Sequence, residues 1–189
     1  MPLKEISIKD ATMNPFTTVY SDWLIVSAGT PKKVNMMVAA WGAFGNIWAK
    51  PSVTIYVRES RYTKEFLDNN DTFGISVLPA SYRKEMNLIG TKSGRNIDKF
   101  KATGLTPLFV DGTPVLKEAK LAFTADKALV QFLSPQSFTD PEAKKKWYSK
   151  GELNMNYHTM YIGEITHTLK DPDAQWVIHT QCNAQGSSR

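Results

Sequence analysis

The sequence predicts a mainly β fold, a single closed antiparallel barrel with a few helices on its rim. Three observations predict it: short apolar segments of strand character recur along the chain, tight turns separate several of them, and most consecutive strands have no helix between them. Parallel neighbours need a crossover, so a βαβ sheet fits less well than an antiparallel barrel.

The expected strands are WLIVSAGT (23–30), VNMMVAAW (34–41), SVTIYVR (52–58), TFGISVL (72–78), AKLAFTA (119–125), ALVQFL (128–133) and TMYIGEITHTL (159–169). In the third, Val53, Ile55 and Val57 take one face while Thr54, Tyr56 and Arg58 take the other, the alternation of a half-buried strand. Helices are expected at about 61–69, 81–89, 95–102 and 140–149, the first carrying Tyr62 and Phe66 one turn apart. Turns at TPKK (30–33) and DGTP (111–114), and a very short link at Asp126 and Lys127, suit antiparallel neighbours. There is no internal repeat, low-complexity tract or linker, so residues 1–189 are expected to form one domain, with an irregular tail after about 180.

Composition narrows the function. With 42% hydrophobic and 22% charged residues, the chain reads as an ordinary soluble globular protein. The net charge of +5 permits an acidic partner, but the basic residues are scattered apart from EAKKKWYSK (142–150), which reads as a solvated helix face. The five tryptophans lie in different elements and are expected in the core, so no nucleic-acid partner is expected. A single cysteine, Cys182, excludes an internal disulfide framework and a multi-cysteine metal site. His158, His167 and His179 lack metal-site spacing, and neither a G-x-S-x-G elbow nor an H-E-x-x-H pair occurs. GAFG (42–45) lacks the third glycine of a dinucleotide fingerprint, and GTKSG (90–94) is not a P-loop. The N-terminus lacks the apolar core of a signal peptide and no apolar run nears the ~20 residues of a membrane span, so a cytoplasmic location without membrane contact is expected.

The candidate chemistry starts at IYVRESRYTKEF (55–66). A strand ends at Arg58, Ser60 is a good N-cap, and a helix from Arg61 would aim its first N–H groups at an anion beside Ser60. Arg58 and Arg61 add permanent charge, and the hydroxyls of Ser60, Tyr62 and Thr63 add neutral donors, a mixture that suits a terminal phosphate. An ordinary capped helix with Arg61 paired to Glu65 accounts for the same residues. A second cluster, GTKSGRNIDKF (90–100), sets Ser93 and Gly94 before Arg95 and Lys99, one turn apart; a solvated face with Asp98 as partner is the alternative there.

Taken in order, VNMMVAAWGAFG, VRESRYTKEFL, SGRNIDKF, GTPVLKEAKL and HTMYIGEI resemble the flavin reductase-like family with an FMN-binding split barrel, nearest its flavoredoxin branch, over about residues 12–169. The resemblance implies an antiparallel Greek-key split β-barrel with several peripheral helices. It implies that the strand from Asn35 lays its backbone, through Met36, Met37, Val38, Ala39, Ala40 and Trp41, along the isoalloxazine edge. Arg58, Ser60, Arg61, Tyr62 and Thr63 would hold the FMN phosphate, Ser93, Gly94, Arg95 and Lys99 would form a second anion-facing segment, and His158 would stand near the flavin and an incoming nicotinamide. Relatives usually carry hydroxyl residues where this chain has Val38 and Ala40, so ring contacts there fall to backbone groups. The implied activity is an oxidoreductase that accepts hydride from NAD(P)H on FMN and passes electrons to flavin or another acceptor, a redox protein being one candidate, as a homodimer. An FMN-binding electron carrier without its own nicotinamide site is the alternative.

Overall fold

The computed structural model describes residues 3–174. After a two-residue strand β1 (Lys4–Glu5) and a single turn α1 (Pro15–Thr17), the long strands form hairpins. Pro31 and Lys32 join β2 (Leu24–Thr30) to β3 (Lys33–Ala39), as the sequence predicts. Trp48 and Ala49 join β4 (Gly42–Ile47) to β5 (Lys50–Arg58), with φ of 53° and 59°, the left-handed pair that favours a tight two-residue hairpin although neither residue is glycine. Then follow α2 (Tyr62–Asp68), β6 (Thr72–Val77), α3 (Arg83–Thr91), α4 (Lys99–Thr103), the hairpin β7 (Pro107–Val110) and β8 (Thr113–Leu116), β9 (Leu121–Phe132), α5 (Pro141–Tyr148) and β10 (His158–Lys170).

Among the described residues, one antiparallel sheet runs in the order β3-β2-β6-β9-β10-β5-β4, with β1 on β10 and the β7–β8 hairpin apart from it. The sheet curls, since Phe44 of β4 packs its ring 5.2 Å from that of Phe123 in β9. Val53, Ile55 and Val57 face inward and are fully buried, as the alternation predicts, beside Phe73, Phe123 and Tyr161. Each such side chain contributes roughly 1.5–3 kcal/mol by leaving water. The Tyr161 hydroxyl donates to Asp68 Oδ1 at 2.5 Å, so the one polar atom of that buried ring is satisfied. A second cluster, with Ile25, Met36, Met86 and Ile89, seats α3 against β2 and β3. That seat sets one wall of the site described below.

Four local expectations differ from the structure. The segments 119–125 and 128–133 are one strand, β9, rather than two strands joined at Asp126 and Lys127. The register with β10 shifts between Ile162 and Gly163, where Ala128 is the extra residue; the polar pair that reads as a turn stays in the ladder, Asp126 opposite Glu164 and Lys127 opposite Gly163, and the Lys127 ammonium donates to the carbonyls of Leu67 and Asn70. Gly163 is required at this bulge, because a Cβ there would lie 2.7 Å from ring carbons of Phe73. Residues 42–47 add a strand that the glycines of GAFG conceal. Helix α2 is preceded by Arg61 rather than Ser60 as its cap. The helix expected at 95–102 starts only at Lys99, where the Asp98 side chain accepts the Lys101 N–H at 3.1 Å. No helix among the described residues is long and apolar enough to cross a membrane. His179, Cys182 and the tail expected after about 180 lie outside the described residues.

Candidate functional site

The corner between β5 and α2 carries most of the polar groups. Arg61 N–H donates to Arg58 O at 3.0 Å, so the chain doubles back and brings both guanidinium groups to one side of the sheet. Arg58 Nη1 donates to the carbonyl of Asn156 at 2.8 Å and, more weakly, to that of Trp147 at 3.4 Å. Its guanidinium lies 5.7 Å from the Trp41 ring and 5.3 Å from the Tyr148 ring. Arg61 is less committed, with a bond from Nη1 to Gly90 O at 3.2 Å. Thr63 is buried and its Oγ1 accepts from Asn35 Nδ2 at 3.0 Å, which leaves its own proton to donate elsewhere. Ser60 is bound through both its N–H and its hydroxyl to the side chain of Asn156. These groups, with Tyr62, Ser93, Gly94 and Lys99, line a cavity of about 420 Å³.

The second basic cluster divides. Lys99 is buried, and its ammonium donates to Met36 O at 2.9 Å and Ile89 O at 2.8 Å, tying β3 to α3 at the cavity wall. Burial, and then the charge of Arg61, bring its pKa down to about 8. Arg95 turns the other way: it pairs with Glu65, donates to Ser60 O at 3.3 Å and lies 4.7 Å over the Tyr62 ring. It lines a neighbouring cavity of about 570 Å³ with Lys32 and Lys33 rather than the cavity of Arg58 and Arg61. The Arg61–Glu65 pairing of the capped-helix alternative is replaced by Arg95–Glu65, and Asp98 pairs with Lys101 rather than with Arg95 or Lys99. Gly94 packs against the Asn35 amide so closely that a Cβ would collide with it.

A third cavity, of about 350 Å³, shares Met37, Arg58, Arg61 and Thr91 with the first, so the two adjoin across these side chains as the cationic end and the aromatic end of one candidate trough. The aromatic end is lined by β3 from Met37 to Ala39, by Ala40 and Trp41, and by Met86, Asn87 and Gly90 of α3. Since β3 ends the sheet and Met36 O reaches outward to Lys99, the alternation of strand backbone turns the N–H and C=O of Val38 outward too. His158 closes this end: it is buried, its Nδ1 shares a 2.7 Å hydrogen bond with the Tyr148 hydroxyl, and its ring lies 4.7 Å from that of Trp41. Burial first, then Arg58 and Arg61, hold its pKa down at about 3, so the imidazole is neutral at ordinary pH. Trp147 meets Trp41 edge-on at 5.0 Å.

Of the residues the sequence singles out, Met37, Arg58, Ser60, Arg61, Tyr62, Thr63, Ser93, Gly94 and Lys99 meet at the cationic end, and Val38, Ala39, Ala40, Trp41 and His158 at the aromatic end. Asn35 and Met36 act from behind, through Thr63 and Lys99, and Arg95 stands outside. Sequence reasoning missed Asn156, Trp147, Tyr148 and the inner face of α3. The helix read as a solvated face in fact turns Tyr148 into the core. Among the described residues, no three His, Cys, Asp or Glu gather as metal ligands.

Residues 17–183 match the family model described as Flavin reductase like domain. The chain belongs to the flavin reductase-like family. A curated relative, the uncharacterized protein YddH of Escherichia coli (strain K12), is 33% identical over 93 residues, 47% of this chain and 48% of that protein. The match thus spans about half the length of this curated relative. Among solved structures, the flavoredoxin of Desulfovibrio vulgaris (Miyazaki F) superposes with a TM-score of 0.61 at 22% identity, covering 89% of this chain and 78% of that one. An FMN-binding domain of a flavin reductases-like enzyme from Shewanella baltica OS155 gives 0.62 at 16% identity, covering 89% and 77%. The NADH:FAD oxidoreductase SgcE6 of Streptomyces globisporus C-1027 gives 0.59 at 17%, covering 91% and 90%. At these identities the likeness is one of fold, and it gives this flavin reductase-like chain the split barrel that its strand order describes.

Proposed function

We propose that this protein binds FMN in the trough and uses it as an oxidoreductase, accepting hydride from NAD(P)H and passing electrons to flavin or another acceptor. The observation that carries the reading is that two unlike cavities adjoin at Met37, Arg58, Arg61 and Thr91. A ligand that fits must be anionic at one end and flat and apolar with a polar rim at the other. The donor set agrees with FMN: Arg61, Thr63 and Lys99 suit a phosphate, and the outward backbone of Val38 suits the rim of the ring in place of a side-chain hydroxyl.

Bound FMN would supply the hydride acceptance and the onward electron transfer. The chain's own part is electrostatic and steric. Arg58, Arg61 and Lys99 give the trough positive potential, which favours charge arriving as hydride. Trp41 and His158 form an aromatic wall at the other end, with Trp147 packed edge-on against Trp41. A neutral His158 orients its neighbours by hydrogen bonding and shape, and carries no charge to the reaction.

We also infer a homodimer with the aromatic end at the subunit boundary. Phe16 and Tyr20 are 84% and 75% exposed and border a groove of about 280 Å³ that shares Ala40 and Trp41 with the trough. The deciding experiment is anaerobic: the FMN-loaded protein is mixed with NADH or NADPH and its flavin absorbance is followed. Bleaching supports the reductase. Failure with both nicotinamides, alongside bleaching by dithionite, makes the protein an FMN-binding electron carrier. Failure to take up FMN sinks both.

A further inference from the structure

We propose that Asn156 is a positioning residue that sets the direction of the Ser60 hydroxyl, and through it the protein's preference for a phosphate-bearing flavin. This rests on the FMN reading of the trough. The Ser60 backbone N–H can only donate, and it meets Asn156 Oδ1 at 3.3 Å. The amide is thereby oriented, and its Nδ2 faces Ser60 Oγ at 2.7 Å. An NH₂ group can only donate, so the serine oxygen accepts. The single proton of the hydroxyl is then free of Asn156 and can be given to an anion in the cavity that both residues line. Asn156 itself is held by its carbonyl, which accepts from Arg58 Nη1 at 2.8 Å.

Aspartate has the same shape and the opposite polarity: it would accept from both groups of Ser60, take the hydroxyl proton for itself, and add a negative charge beside the phosphate. Asparagine at this position therefore discriminates by chemistry and not by size. No local pattern in the sequence marks it, because its partners Arg58 and Ser60 lie nearly a hundred residues away.

The test titrates FMN and riboflavin into the wild type, Asn156→Asp, Ser60→Ala and the double variant. Asn156→Asp should weaken FMN by about 10- to 100-fold and leave riboflavin within about twofold. In the Ser60→Ala background, the loss from the same substitution should be about fivefold smaller, because only the added charge remains to act. An FMN-to-riboflavin ratio unchanged by Asn156→Asp overturns the proposal. So does an equal loss in both backgrounds, which is charge acting without Ser60, or a parallel loss of riboflavin, which is a structural role. A wild type that does not prefer FMN overturns the phosphate reading itself, and that result is visible before any substitution is made.

Discussion

Arg58 and His158 stand directly opposite each other, the last residue of β5 against the first of β10. The pairing sets a permanent cation beside a buried imidazole, and burial and this charge together hold His158 neutral down to a pKa of about 3. The unfolded chain, with an ordinary histidine near 6.5, binds a proton that the folded one refuses. Stability from this group is therefore present above about pH 6.5 and is lost as pH falls toward 3.

Urea unfolding should show that loss as up to about 2 kcal/mol between pH 7 and pH 5, and the pH dependence should shrink in His158→Gln. His167 works in the opposite sense: its hydrogen bond to Glu5 raises its pKa, so its contribution is lost as pH rises. Making the comparison in a His167→Gln background isolates His158. An unchanged pH dependence on removing His158 would refute the assignment.

The two arginines at the anion end should separate. Arg61→Ala removes a lightly held guanidinium and should lower FMN affinity by about 10-fold, with riboflavin affinity and melting temperature nearly unchanged. Arg58→Ala also strips the donor from the carbonyls of Asn156 and Trp147, and should cost about 1–3 kcal/mol of stability along with affinity for both flavins. Identical phenotypes would show that the carbonyl contacts are idle.

Lys99 should make FMN binding pH-dependent. Above its pKa of about 8, binding a phosphate dianion requires the amine to regain a proton, so FMN affinity should fall as pH rises from 7.5 toward 9.5. Riboflavin affinity should not follow it, and Lys99→Met should abolish the difference. That variant should also lose about 1–3 kcal/mol, because the carbonyls of Met36 and Ile89 lose a donor.

Light scattering of the FMN-loaded protein should give about twice 21.2 kDa. Replacing Phe16 and Tyr20 together by serine should yield a monomer that binds FMN more weakly, since the aromatic end would lose its partner wall. A monomeric wild type with tight FMN binding would count against a shared site.

Much of this was legible in the sequence because it is written locally. The alternation of Val53, Ile55 and Val57 announces its buried face, and the Pro31-Lys32 hairpin is plain from its flanks. Asp126 and Lys127 misled because charge in mid-strand looks like a turn when the carbonyls that receive Lys127 are some sixty residues distant. The site followed the same rule. The motif from Arg58 to Thr63 stands out by residue type, whereas which arginine meets Glu65, and that Asn156 grips Ser60, depend on contacts between distant segments.

Among the described residues, β3 lies at the end of the sheet with no strand on its outer edge. An unpaired strand is a template on which another chain can add its own, and proteins usually blunt such rims with charge or proline. From Met36 to Ala40 this rim carries neither. Lys99 guards it at Met36, α3 leans over it, and the remainder at Val38 opens into the trough. Flavin in the trough would then act as a cap against self-association. Stripped apoprotein should grow turbid faster than the loaded form on storage, and Val38→Lys should protect the apoprotein while spoiling the flavin site.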